Sequence, residues 1–212
     1  MARPTQRGLT IVELLVGLAL GLLVTAAAAS LVLTHLREHR ALWLQSRLMQ
    51  DLRVAADMVT RELRRAGYWS DATVATANPH ATFDTSARDT VYSYSHDTPG
   101  APGVDAGEQL GFRLRHGAIE MMLGRGNWQA LTDSGSVSIT AFTVTPDAQE
   151  VPLQGFCSKP CPADVPGCGP KQVVRSLAVL IRGRSMDDAT VARTVTARVR
   201  LRNDTIVGAC PT

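Results

Sequence analysis

Between residues 14 and 33 the only polar side chains are Thr25 and Ser30, and no Asp, Glu, Lys or Arg occurs from Leu14 to Leu36. About 20 apolar residues at 1.5 Å rise cover the roughly 30 Å hydrocarbon core of a bilayer, so this stretch predicts a membrane-spanning helix. Beyond it the apolar run gives way to a periodic pattern. Leu48, Leu52, Ala55, Val59, Leu63 and Ala66 recur at spacings of three and four, and charged side chains such as Arg53, Asp57, Arg61 and Arg64 fill the other positions. That is one apolar face of an amphipathic helix. No proline interrupts positions 5–78, so one helix is expected over residues 9–66. Gly67 is its natural stop, with Arg64 and Arg65 in the last turn.

After Gly67 the period changes. Residues 70–88 are polar and aperiodic, with a turn at Asn78-Pro79, and are expected to form a surface loop. Strands are expected at 90–95, 109–115, 118–123, 128–131, 137–144, 173–183 and 190–202. His116-Gly117 suits a hairpin turn between the second and third of these. In the last strand Val191, Val195, Ala197, Val199 and Leu201 alternate with Thr194, Thr196, Arg198, Arg200 and Arg202. The first set should face the helix and the second should face solvent. The fold class expected is α+β: a long amino-terminal helix packed on an antiparallel β head.

Composition changes this picture only in detail. A 212-residue chain has room for one membrane segment and one modest domain. The formal net charge of +3 is too small to imply a nucleic-acid partner, and 5% aromatics offer no base-stacking platform. Cys157, Cys161, Cys168 and Cys210 all fall in the last quarter. In a head outside the cytoplasm they suggest up to two disulfides, with three connectivities open. A zinc site and free structural thiols are the alternatives, although the spacing lacks a paired C-x2-C. The segment 155–171, rich in Pro, Gly and Cys, reads as a loop stapled by such bonds. Cys210 is expected to pair with one loop cysteine, closing roughly 40–50 residues and contributing about 3–4 kcal/mol.

Glu13 is the exception in the apolar segment. A carboxylate costs about 2.5–3.5 kcal/mol at mid-bilayer and less near the interface, so one at this place calls for a functional role and a partner. The run Arg7-Gly8-Leu9-Thr10-Ile11-Val12-Glu13, followed by a full apolar span, resembles the amino-terminal signal of type IV pilins and pseudopilins. The resemblance implies that a prepilin peptidase cuts after Gly8 and N-methylates Leu9. It also implies that Glu13 pairs with the new amine of a neighbouring subunit, fixing register. Most members of the family carry Phe where this chain has Leu9. The stretch Arg64-Arg65-Ala66-Gly67-Tyr68-Trp69 resembles the helix end of PilW-type minor pilins and of the large minor pseudopilin of type II secretion. Residues 196–203 resemble the terminal strand of the same group.

Other chemistry is weaker. His35-Leu36-Arg37-Glu38-His39 matches H-x-x-E-H, a metalloprotease pattern, but stands where the helix leaves the membrane and has no evident third ligand. His80, His96 and His116 read as isolated, solvated loop or turn residues. Gly17 and Gly21 form a G-x-x-x-G pair suited either to close helix approach or simply to a membrane helix. Arg193, Arg198, Arg200 and Arg202 could line a positive strip, which reads as a solvated face or as a contact to an acidic subunit or to DNA.

The organisation expected is therefore a leader at 1–8, a transmembrane and assembly segment at 9–33, a soluble helical half at 34–67 and a periplasmic β head at 68–212. The function implied is a PilW-like minor pilin, a substrate of an enzyme and not itself an enzyme, with no metal or cofactor. Its partners would be prepilin peptidase, other minor and major pilins, the inner membrane and the pilus assembly machinery. It would be held in the inner membrane before entering a filament or its tip. A type II secretion pseudopilin, or a periplasmic binding or enzymatic domain on an uncleaved anchor, are the rival readings.

Overall fold

The computed structural model describes residues 8, 10–69, 78–86, 89–95, 103–162, 167–202 and 204–211. Helix α1 runs over Ile11–Leu63, within the expected 9–66; Leu9 lies outside the described residues. The strands are β1 (Phe83–Thr85), β2 (Asp89–Ser93), β3 (Gln109–Arg115), β4 (Ala118–Leu123), β5 (Trp128–Ala130), β6 (Val137–Pro152), β7 (Lys171–Ser185), β8 (Ala192–Arg200) and β9 (Thr205–Val207). The chain divides into two compact units, Met1–Trp43 and Leu44–Thr212.

In the first unit every described side chain from Thr10 to Arg40 is exposed. An 18-residue window there has a mean hydropathy of 2.3 and none of it is buried, which makes it long and apolar enough to cross a membrane. Its few hydroxyls are bonded within the helix. Thr25 Oγ1 donates to the carbonyls of Gly21 and Leu22 (3.0 and 2.9 Å). Ser30 Oγ donates to Ala27 O (2.8 Å) and Thr34 Oγ1 to Ser30 O (3.0 Å). Such back-bonding satisfies a hydroxyl that has no water to meet.

The second unit holds all of the core. Leu48, Leu52, Ala55, Val59, Leu63 and Ala66 are all buried, joined by Leu44 and Ala56, so the face set by the 3.6-residue period is the one that packs. Two antiparallel sheets meet it. One has the order β1-β2-β3-β4-β5; the other is β6-β7-β8, with β9 also pairing with β7. Leu177, Val179 and Ile181 of β7 join the helical residues, Ile119 and Phe142 in one cluster. An aromatic row links the sheets: Phe83 stacks on Tyr92, Tyr92 on Phe112, and Phe112 meets Phe142 edge-on at 6.4 Å between ring centroids. Gly183 makes room under the helix, since a Cβ there would stand 3.0 Å from Leu52 Cδ2 and 3.1 Å from Val137 Cγ1.

The β3–β4 hairpin has the expected bounds. His116 and Gly117 sit at φ 49° and 77°, the positive pair that a tight turn matched to strand twist requires. Three expectations are corrected. The surface loop expected over 70–88 contains strand β1, paired to β2 from Phe83↔Tyr92 to Thr85↔Thr90; residues 70–77 and 87–88 of it lie outside the described residues. Strand β6 does not stop at Val144 but continues to Pro152, paired with β7 on both sides of a register shift between Ile139 and Ala141. A further strand, β9, pairs with Lys171, Gln172 and Val173. Pro146 and Pro152 lie within this strand. Leu153 N–H donates to Pro170 O (2.8 Å), and that register turns the nitrogens of residues 146 and 152 away from β7, where a missing N–H breaks no ladder bond.

The loop after β6 is closed twice, by Cys161–Cys168 and, around it, by Cys157–Cys210. The sequence separations are 7 and 53 residues. Loop-closure entropy gives about 2.5 kcal/mol for the inner bond and about 4 kcal/mol for the outer one. Cys157→Ser with Cys210→Ser should therefore lower the thermal midpoint of the head more than Cys161→Ser with Cys168→Ser does, as read by circular dichroism of the detergent-solubilised protein. Equal losses would refute the ranking. Gly111 supplies a second check. A Cβ there would lie 2.6 Å from the main-chain oxygen of Thr90, so Gly111→Ala must part β2 from β3. It should cost more than the about 1–3 kcal/mol typical of an overpacked core, whereas Gly155→Ala, in open space, should be nearly silent in the same melt.

Candidate functional site

The amino-terminal junction is built by the start of α1. Thr10 Oγ1 accepts the N–H of Glu13 (3.3 Å), and Thr10 O accepts the first helical bond from Leu14 N–H (3.1 Å). Thr10 is thus the N-cap and Glu13 the third helical residue, half of a capping box. The sequence reading passed over Thr10, although T-x-x-E before an apolar run is its signature. Glu13 occupies the first turn, where the exposed N–H groups favour a negative charge. Its side chain is exposed, and among the described residues no cation pairs with it. Gly8 is exposed and non-helical, and a Cβ there would meet nothing within 4 Å. Leu9, the proposed new terminus, lies outside the described residues.

The other end of α1 is locked into the head. After Leu63 the last turn tightens: Arg65 N–H bonds to Glu62 O and Ala66 N–H to Leu63 O, both at 3.0 Å. Gly67 then adopts φ 75°, and its N–H leaves the helix to donate to Ser93 O of β2 (2.9 Å). The positive φ favours glycine, and a Cβ there would stand 3.3 Å from the Arg175 guanidinium, which would have to shift to admit it. Ser95 N–H donates to Tyr68 O (2.8 Å), and the Arg65 guanidinium lies 4.1 Å above the Tyr94 ring. The Arg-Arg-Ala-Gly-Tyr-Trp stretch is therefore a splice between helix and sheet.

That splice is backed by a buried polar group. Asn78 donates from Nδ2 to Gly67 O (2.9 Å) and accepts the His80 N–H at Oδ1 (2.8 Å). His80, read from sequence as solvated, is 2% exposed, with Nδ1 3.1 Å from Ser93 Oγ and Nε2 3.9 Å from Glu108 Oε2. Its burial is set by residues far away in sequence, which local polarity does not reveal. Serine, histidine and acid stand here in the order of a hydrolase triad. The 3.9 Å gap is nevertheless too long for a hydrogen bond, and Glu108 Oε2 accepts the Asp105 N–H (3.0 Å) in a capping box. The arrangement is a structural tie. Burial holds the imidazole below its ordinary 6.5, partly offset by the Glu108 charge.

The remaining sequence candidates are placed as follows. His35 and Glu38 stand 3.8 Å apart on the exposed helix. His116 is exposed in its turn, and His96 lies outside the described residues. Gly17 and Gly21 have open space around them. Arg198 is within 3.4 Å of Asp147, and Arg200 pairs with Asp204.

Residues 3–29 match the prokaryotic N-terminal methylation motif, and residues 41–201 match the family described as prepilin peptidase-dependent protein B. No curated protein and no solved structure matches the chain. An exposed apolar helix opened by a capped glutamate, carrying an antiparallel α+β head with carboxy-terminal disulfides, defines a membrane-anchored pilin-like protein. With well over half of its length matched, the chain belongs to the prepilin peptidase-dependent protein B family, and is a pilin- or pseudopilin-type protein processed by prepilin peptidase.

The His80 tie has a pH signature. A histidine held below its unfolded value stabilises the fold fully above about pH 6.5, and that contribution is lost as the pH falls from there toward the folded value. His80→Asn keeps a polar group near the Nδ1 position but does not titrate. The wild-type protein's excess melting temperature over His80→Asn should therefore shrink between pH 7 and pH 5. A difference that stays constant over this range would show that His80 does not titrate against folding.

Proposed function

We propose that this protein is a PilW-like minor pilin, cut after Gly8 and N-methylated at Leu9, that enters or primes a type IV pilus. The observation that carries the reading is Glu13: an exposed carboxylate in the first turn of a helix whose apolar first half is exposed throughout, with no cation beside it among the described residues. In a filament core that carboxylate needs a positive partner. The amine freed by cleavage at Gly8, on a neighbouring subunit, has the charge and the place near the helix start to supply it. Truncating one member of a buried pair costs about 3–5 kcal/mol, so such a pair selects one axial register.

The open space around Gly8 implies that the need for glycine comes from the peptidase pocket and not from this chain's own packing. Arg3 and Arg7 in the leader favour a cytoplasmic amino end, and two disulfides suit a head in the oxidising periplasm. The role is assembly, with prepilin peptidase, other pilins and the inner-membrane assembly machinery as partners. A type II secretion pseudopilin would use the same chemistry in another machine.

Amino-terminal sequencing of the mature protein should begin at a methylated Leu9, and Gly8→Ala should leave uncleaved precursor in the membrane fraction. A mature terminus elsewhere would refute the processing site. Glu13→Ala should be cleaved normally yet appear at least tenfold less in sheared filaments; wild-type incorporation would refute the pairing role. Deletion should abolish twitching and spare protein export, and the reverse outcome assigns the chain to the secretion machine.

A further inference from the structure

Strand β8 closes one side of its sheet, and among the described residues no element pairs with its second edge. The register fixes which main-chain groups face outward. Ser185 N–H donates to Val191 O and Leu201 N–H to Arg175 O, in line with the pairs Arg184↔Ala192 through Ser176↔Arg200. Odd-numbered residues of β8 thus bond to β7, and residues 192, 194, 196, 198 and 200 direct N–H and C=O away from it. The Arg193 guanidinium takes the Ala192 carbonyl (2.8 Å). The groups of Thr194, Thr196, Arg198 and Arg200 remain as an open edge, the template that strand addition uses.

Side chains along this edge specify what would fit. On the inner face Val191 and Val199 are buried, but Val195 and Ala197 between them are only half-buried, so the core is incompletely covered at its margin. On the outer face the Arg198 and Arg200 side chains are 64% and 60% exposed. Each already meets one aspartate, Asp147 or Asp204, yet a guanidinium has five N–H donors and one carboxylate does not exhaust it. A strand lying against β8 would place alternate residues over Val195 and Ala197 and the others beside the arginines.

We propose that the free edge of β8 is a strand-addition site for an extended protein segment of alternating apolar and acidic residues. The apolar set completes the margin of the core, the acidic set pairs with Arg198 and Arg200, and the main chains form the ladder. This site stands independently of how the amino terminus is processed.

The test uses the full-length protein in detergent micelles and a fluorescent octapeptide of alternating Val and Glu. Anisotropy should show saturable binding, with hydrogen-exchange protection gained in β8. N-methylation of every peptide amide should weaken binding at least tenfold, because only main-chain pairing is lost. Replacing Glu by Lys in the peptide should weaken it as much. Thr196→Pro removes an outward N–H without touching the β7 ladder, and should also cost at least tenfold with an unchanged melt. Should that variant melt early, Arg198→Glu combined with Arg200→Glu tests the acidic half of the proposal by favouring the Lys peptide. Equal binding of the N-methylated peptide overturns strand addition. A single-stranded oligonucleotide that displaces the peptide at equal concentration overturns the protein partner in favour of nucleic acid. Absence of saturable binding at millimolar peptide overturns the site and leaves the arginines as guards that keep the edge unpaired.

Discussion

The head depends on one contact, the seating of a helical face on β7. Leu48, Leu52, Val59 and Leu63 are at most 1% exposed, as are Leu177, Val179 and Ile181. Each such side chain contributes about 1.5–3 kcal/mol by leaving water, more than any exposed ion pair in the molecule could. Strand β7 is bonded to β6 along one edge and to β8 and β9 along the other, so whatever positions β7 positions the sheet. Gly183 shows how close the fit is, since a single methyl group there would press on Leu52 and Val137. The bond from Gly67 to Ser93 carries the same registration to the other sheet.

Periodicity made much of this legible. The spacing from Leu48 to Ala66 marks the buried face because a helix repeats every 3.6 residues whatever it packs on. Strand β3 announces itself by alternation before a turn that needs positive φ. From Thr194 to Arg200 of β8 the outward threonines and arginines alternate with inward apolar residues, as the burial confirms. What stayed hidden depends on neighbours, not on local sequence. Three-residue strands such as β1 and β9 are too short to show a period. Pro146 and Pro152 are breakers in the interior of a sheet and harmless on its edge, and only the pairing distinguishes the two. His80 is buried by Ser93 and Glu108, 13 and 28 positions away.

At the amino-terminal junction the balance is different. Glu13 stood out by the cost of a carboxylate beside an apolar run, a reason that holds without a partner in view, whereas Gly8 and Leu9 were implied by the resemblance to the pilin signal. The N-cap role of Thr10 was equally readable but overshadowed by Gly8 and Glu13 on either side of it. Its consequence is geometric: α1 begins at Ile11, three residues beyond Gly8, so helix nucleation and the proposed scissile bond do not compete for the same backbone.

The hydroxyls of Thr25, Ser30 and Thr34 carry one further implication. Each gives its proton to a carbonyl of its own helix, so none needs a donor or acceptor from its surroundings. The segment presents the same outward chemistry in lipid as it would against other apolar helices. Exchanging one environment for the other then strands none of these hydroxyls, and this stretch of the helix is free to change company without remaking their bonds.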